Sequence, residues 1–457
     1  MIDKRYLNWK NKLGYGAGDI AGNVVYAFLS TYLMFYLTDT VGMHVGIVGT
    51  LMAVSQLLDS VTDLLFGFLL DRTNSRLGKA RPWMLFGYGG CAILLAAIFM
   101  IPEAWGETAQ YAYFFITYTL LNAVFYTANN ISYATLTALI TKNTSERVQL
   151  GSIRYMFAFA TTLIIQTVTS GIVLDLGGNA QAWKRVAVIY GVIGLIANSI
   201  SALSVKEMDP EELYTTDFGK IENHGTSYSL SEGVRLLFAN RFFLMICGVY
   251  LLSQISQSCL NMGVYFMKYV LDNEILLKTF SWFTHIPLIL GLIVTPWLVK
   301  QLRGMYKLNL AGYALATLGR LGGLVSAYMG SVPMMLVFTA VASLGMCPLQ
   351  GDLNAVIASA SDYTYLTTGK RIDGTMYSCT SLGVKIGGGL GTAISGWRLA
   401  AAGFIQGGAA VQPDSVITML NVMYLWLPAI FCALVTYFLT KLNVEKANQA
   451  LLATRKA

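Results

Sequence analysis

The sequence predicts an all-α membrane protein of twelve transmembrane helices in two pseudo-symmetric six-helix bundles. Three observations predict it. Hydrophobic residues make up 55% of the 457 and charged residues only 12%, where a soluble protein carries about 25% charged. Mean hydropathy is +0.56. The apolar residues gather into about a dozen stretches, each near the roughly 20 residues that cross a bilayer as a helix.

Taken in order, the expected spans are 14–39, 44–70, 83–102, 108–138, 150–176 and 185–205, then 241–271, 277–300, 307–328, 332–358, 375–404 and 415–441. Before the first lies MIDKRYLNWKNK, polar and basic with no apolar core ahead of it. That is no cleavable signal, so the first span is expected to act as its own. Between the sixth and seventh spans lies the polar, acidic stretch 206–233. It is the expected cytoplasmic linker between an N-terminal bundle, 1–205, and a C-terminal bundle with a tail, 234–457. With both termini in the cytoplasm, most of the 31 Lys and Arg fall in cytoplasmic segments. The positive-inside rule predicts that bias, and the expected location is multi-pass in the cell's inner (plasma) membrane. A net charge of +7 is then explained by loops and calls for no nucleic acid.

Charges inside spans are the first functional clue, because each costs roughly 2.5–3.5 kcal/mol at the centre of a membrane helix. Asp59 and Asp63 lie four residues apart in the second span and so share one helix face. That face is expected to meet a water-filled cavity, a cation or a basic partner. Arg154, Arg320 and Lys385 are basic residues within spans. After the second span come Asp71, Arg72, Arg76, Lys79 and Arg81, expected to form a gating and helix-end device on the cytoplasmic face. Basic residues recur at the matching place after the eighth span, in PWLVKQLRGMYK. Internal repeats of this kind mark secondary transporters, with the substrate near the midplane.

Other chemistries leave no trace. There is no Walker A loop, HExxH, GxSxG or CxxC, so neither ATP use nor enzymatic activity is expected. The six cysteines lie in apolar segments and read as core residues. His285, inside the eighth span, reads as a hydrogen-bonded core group. The glycine-rich run 383–396 falls within a span, where close helix packing explains it better than phosphate binding.

Several of these segments carry a resemblance. KLGYGAGD from Lys12, YLTDTVG from Tyr36, the Asp59–Asp63 pair, RLGKARPW from Arg76 and SERVQLGSIR ending at Arg154 occur in order. They are followed by SDYTYLTTGKRIDGTMYS from Ser361 and VKIGGGLG with Lys385. Over nearly its whole length the chain resembles the glycoside–pentoside–hexuronide:cation symporters of the major facilitator superfamily. The resemblance implies the major facilitator fold and alternating access. It implies that Asp59 and Asp63 bind the coupling cation, Na⁺, Li⁺ or H⁺, with Thr127 completing the site; the metal, if sodium, sits on the two carboxylates. It places Arg154 beside the sugar and Lys385 in partnership with the carboxylates. A hard cation suits oxygen ligands, and a carboxylate pair can instead carry a proton.

Where the melibiose-carrying members have sugar-binding aspartates on the first and fourth helices, this chain has Asn23 and Asn130. Ser132 replaces a proline and Ala134 a tryptophan. The expected sugar site is therefore Asn23, Tyr26, Asn130, Arg154, Gln254, Gln257, Asp352 and Lys385. With two carboxylates replaced by amides, Arg154 is expected to lack compensation unless Asp352 pairs with it. An acidic glycoside is then at least as favoured as a neutral one. No cofactor is expected beyond the cation, and the protein is expected to be a monomer. Two other classes stand beside this reading. One is a lysolipid-type carrier of the same fold, against which the polar cluster argues; the other is a receptor without transport.

Overall fold

The structure is a computed structural model that describes residues 5–71, 73, 75–102, 104–141, 144–208, 230–302, 304–369, 373–408 and 411–456. Among these residues there is no strand. The elements are α1 (Trp9–Phe28), α2 (Val45–Asp71), α3 (Arg81–Ile98), α4 (Glu107–Thr119), α5 (Thr127–Ile140), α6 (Thr144–Asp175) and α7 (Ala180–Ser204). They continue with α8 (Leu230–Ala239), α9 (Arg241–Leu260), α10 (Gly263–Tyr269), α11 (Leu276–Leu302) and α12 (Tyr306–Tyr328). The last are α13 (Val332–Thr368), α14 (Asp373–Ala401), α15 (Asp414–Asn421), α16 (Leu427–Lys441) and α17 (Val444–Lys456). Short π-helical segments, Leu29–Leu33 and Tyr36–Thr40, prolong α1; Leu120–Tyr126 joins α4 to α5, and Val422–Trp426 joins α15 to α16.

Among the described residues, eight helical segments are long and apolar enough to cross a membrane. Four long helical stretches fall short of that test: Trp9–Thr40, Glu107–Ile140, α12 and α14. These carry Asp19 and Asn23, Thr127 and Asn130, Arg320, and Lys385 respectively. Polar side chains lower the hydropathy of these four helices, which hold part of the candidate site. The seventh expected span is broken at Leu260, and the tenth runs ten residues beyond its expected end, to Thr368.

The chain divides into two compact units. The first comprises Met1–Gly219, Gly263–Lys278 and Thr392–Met419; the second comprises Lys220–Met262, Thr279–Gly391 and Leu420–Ala457. In the first, α1 packs against α6 and α7. The Tyr15 and Tyr133 hydroxyl oxygens each lie 3.0 Å from the other residue's backbone carbonyl oxygen. Gly18 makes this approach possible, since a Cβ there would stand 2.5 Å from the Tyr133 ring. At the far end of α1, Phe28 stacks on Phe99 and Phe99 on Trp183. The second unit is organised on the α12–α13 seam, where a Cβ at Gly312 would lie 2.6 Å from the Gly345 carbonyl oxygen. Small residues let two backbones meet, the usual means of tight helix contact in a membrane.

Each unit also closes one helix start with a distant carboxylate. In the first, Glu207 accepts from the backbone N–H groups of Lys79, Ala80 and Arg81, at 2.7–3.1 Å. These begin α3. In the second, Glu445 accepts from Met305 and Tyr306 at 3.0 and 3.2 Å, at the start of α12. A helix start exposes unpaired N–H groups and a partial positive charge, so an anion there satisfies both. The two caps hold matching places: each lies just beyond its half's last long helix and closes the third.

Candidate functional site

The three predicted cation ligands converge in the first unit. The i, i+4 spacing on α2 sets Asp59 and Asp63 on one face, and Thr127 opens α5. The Thr127 hydroxyl lies 2.5 Å from Asp59 Oδ1 and 3.1 Å from Asp63 Oδ1, with the Asn122 carbonyl also at 3.1 Å. A hydroxyl has one proton, so it donates to one of these acceptors at a time. Both carboxylates are half-buried, and Thr127 is 3% exposed. Two carboxylates with a hydroxyl against both are oxygen donors of the kind a hard cation takes, and a carboxylate pair can also share a proton.

Arg154 is not under-compensated, and Asp352 is not its partner. Its Nε donates to Asp19 Oδ2 at 2.9 Å. The guanidinium carbon stands 4.3 Å above the Tyr133 ring, and the Tyr133 hydroxyl donates to the same Asp19 oxygen at 2.6 Å. Asp19 is the member of this cluster that the sequence reading does not single out. Its signal is present, a carboxylate inside an apolar span, one turn before Asn23. Asp19, Gly151, Arg154, Tyr155 and Ala158 line a cavity of about 220 Å³. Tyr155 is exposed and stacks on Phe159.

The remaining predicted residues are spread out. Asn23 donates to the Asp19 carbonyl at 2.9 Å. Tyr26 and Asn130 are exposed. In the second unit, Gln254 packs on Gly387, two residues from Lys385 on α14. Gln257 is exposed and donates to Asn261 at 3.2 Å. Asp352 accepts from Asn309. Arg320, between Tyr313 and Cys432, acts electrostatically on both and on Tyr424. His285 Nδ1 lies 2.9 Å from the Ser281 carbonyl, as expected of a core histidine.

The loop after α2 behaves as a helix-end device. Arg81 Nε donates to the Ala202 carbonyl near the end of α7 at 2.7 Å, and its backbone N–H is one of those that Glu207 caps. Lys79 contributes its backbone N–H to the same carboxylate, and Arg76 is exposed. Arg72 and the side chain of Asp71 lie outside the described residues, as does most of the expected linker, 209–229. At the start of α6, Glu146 gathers Lys12, Thr141 and the N–H groups of Tyr6 and Leu7. Burial pushes its carboxyl up, but these hydrogen bonds and Lys12 outweigh burial and hold it below the usual value.

A second cavity of the first unit, about 440 Å³, is lined by Tyr32, Phe35, Asp39, Trp183, Lys268 and Glu274 among others. Asp39 pairs with Lys268 and accepts from the Tyr269 hydroxyl. Asp39 and Asp19 are twenty residues apart on one helical run, about 30 Å at 1.5 Å per residue.

The family described as MFS/sugar transport protein matches residues 14–446. The chain belongs to this family. It is a membrane transporter of the major facilitator type, not an enzyme. An isoprimeverose transporter of Lactiplantibacillus pentosus is 30% identical over 99% of this chain and 92% of its own. The inner membrane symporter YicJ of Escherichia coli (strain K12) is 27% identical over 95% of this chain and 91% of its own. Among solved structures, the nucleoside transporter NupG superposes with a TM-score of 0.60 at 14% identity, covering 97% of this chain and 99% of that one. At that identity the likeness concerns the fold alone.

Proposed function

We propose that this transporter carries a neutral glycoside together with a cation, by alternating access. In this reading twelve helices form two six-helix bundles, 1–205 and 234–457, joined by a cytoplasmic linker, with both termini in the cytoplasm of the inner membrane. The observation that carries the coupling is the position of the Thr127 hydroxyl between the Asp59 and Asp63 carboxylates. Na⁺, Li⁺ or H⁺ neutralises that pair, which raises sugar affinity; by linkage the sugar raises cation affinity by the same factor.

The sugar sits against Asp19, Arg154 and Tyr155, with Asn23 and Asn130 beside it; Gln254, Gln257 and Lys385 remain candidate ligands on the sequence alone. Lys385 answers the charge of Asp59 and Asp63 when the cation leaves. The arginine's charge is already matched by Asp19, so the balance that favoured an acidic glycoside disappears. What remains is a paired donor and acceptor with an exposed aromatic ring, which suits uncharged hydroxyls. The names of two relatives, an isoprimeverose transporter and an inner membrane symporter, support sugar transport and symport.

Flux in sealed vesicles tests the reading. Asp59→Asn or Asp63→Asn should abolish accumulation driven by a Na⁺ or proton gradient while leaving sugar exchange. Wild-type accumulation in either variant would remove the cation site from this face. In competition, a neutral glycoside should inhibit uptake better than the matching glucuronide; the reverse order would restore the acidic substrate.

A further inference from the structure

Asp352 lies in α13, one turn beyond Pro348, and is 8% exposed. Its side-chain partner is an amide. Asn309 Nδ2, on α12, donates to Asp352 Oδ1 at 2.9 Å and Oδ2 at 3.1 Å. Asn309 is itself 3% exposed, and its Oδ1 is buried with no hydrogen-bond partner. Two groups thus meet with a mismatch: between them they have acceptors to spare and too few protons.

Among the described residues, no positive charge is recorded acting on Asp352. Asn309 is in the first turn of α12, where a free helix start would favour an anion. Glu445 already occupies that start through Met305 and Tyr306 and adds its own negative field at Asp352. On the other packed helices the charges are turned elsewhere. Lys307 of α12, Lys446 of α17 and Lys300 of α11 are exposed. Arg241 of α9 covers the Phe242 ring at 4.9 Å. Arg320 is about three turns further along α12, and His285 of α11 is held by the Ser281 carbonyl. An ionised carboxylate buried against a neutral amide and a second carboxylate is costly to keep.

We propose that Asp352 and Asn309 form a proton-binding site, separate from Asp59 and Asp63. The bound proton sits on Asp352. Its O–H donates to Asn309 Oδ1 while Asn309 Nδ2 donates to the other carboxyl oxygen, a cyclic acid–amide pair that satisfies the orphaned Asn309 Oδ1 and keeps the amide's own bond. A small rotation of the Asn309 amide closes the ring. Release breaks the Asp352 O–H bond and passes the proton to water, leaving the carboxylate. A cavity of about 10 Å³ between Asn309 and Glu445, also lined by Met305 and Tyr306, offers the route. That is about the space one water needs, next to a carboxylate able to relay the proton.

The test needs no substrate, so it stands or falls apart from the symport reading. Infrared spectra of the full-length protein in lipid, titrated from acid to alkaline pH, should show a protonated-carboxyl band at neutral pH. Carbon-13 labelling of aspartate should move it, Asp352→Asn should remove it, and Asn309→Leu should shift it to the frequency of a carboxyl without that partner. Alkalinisation should release one proton fewer from Asp352→Asn than from the wild type. The labelled wild-type protein and Asn309→Leu keep the test decisive if Asp352→Asn fails to fold. No aspartate carboxyl band at neutral or mildly acidic pH, or a band indifferent to Asn309→Leu, overturns the proposal.

Discussion

Asp19 and Asp352 are two carboxylates inside apolar helices, one in each unit, and their surroundings differ in kind. Asp19 has a guanidinium at 2.9 Å and a tyrosine hydroxyl at 2.6 Å. Asp352 has one amide and a neighbouring carboxylate. The first arrangement holds a charge and depends on it. The second is tolerable only when the charge is gone. A buried acid is therefore not one feature but two, and the partner decides which.

The largest effect expected from this contrast falls on the first pair. Arg154→Ala should strip Asp19 of its guanidinium and cost roughly 1.5–3 kcal/mol, the range for a charged hydrogen bond in a pair whose arginine is 26% exposed. Thermal unfolding in detergent would measure it. Asp19→Asn combined with Arg154→Gln should recover part of that loss, because the pair is coupled. Additive losses would mean the two residues act separately.

A smaller cost, about 1–2 kcal/mol, is expected where a carboxylate faces backbone N–H groups only. Glu207→Gln and Glu445→Gln replace an anion with a weaker, half-matched cap. Equal melting temperatures for variant and wild type would show these caps to be ornamental.

The pH sharpens the comparison further. Glu146 is held below its ordinary value of 4.5 in the folded protein. Its contribution is therefore complete above that unfolded value and disappears as pH falls through the folded one. The stability difference between wild type and Glu146→Gln should be full at neutral pH and shrink on acidification below about pH 4.5. A difference that grows in acid would reverse the assignment.

The smallest effect is expected at Asp352. Asparagine reproduces the shape of a protonated acid and adds a donor, so Asp352→Asn should change stability by less than about 1 kcal/mol. A loss as large as that of Arg154→Ala would show that Asp352 is ionised and that the contrast between the two acids is false.

Much of this was legible in the chain. The i, i+4 spacing places Asp59 and Asp63 on one face without any structure, and apolar length finds the helices. Thr127 came only through resemblance, since an isolated threonine in a span carries no signal of its own. Asp19 was readable by the same cost argument that singles out Arg154, yet nothing local links residues 135 apart in sequence. Asn309 was unreadable for the same reason, its partner being 43 residues away. The π-helical turns at Leu29–Leu33 and Leu120–Tyr126 have no compositional mark, because the apolar pattern of a helix survives one extra residue in a turn.

The Glu207 and Glu445 caps bear on how the protein is made. Each bond joins residues far apart, 126–128 positions in the first case and 139–140 in the second. A chain leaving the ribosome from its N-terminus presents the start of α3 long before Glu207 exists. That start stays open while α4 to α7 enter the membrane, and it closes only when the last of them has arrived. The same delay repeats for α12, which waits for the chain to reach Glu445 near its end. Each carboxylate is thus a late fastening: the N-terminal segment can be locked while the rest is still being synthesised, and a chain cut short before residue 445 leaves its second fastening undone.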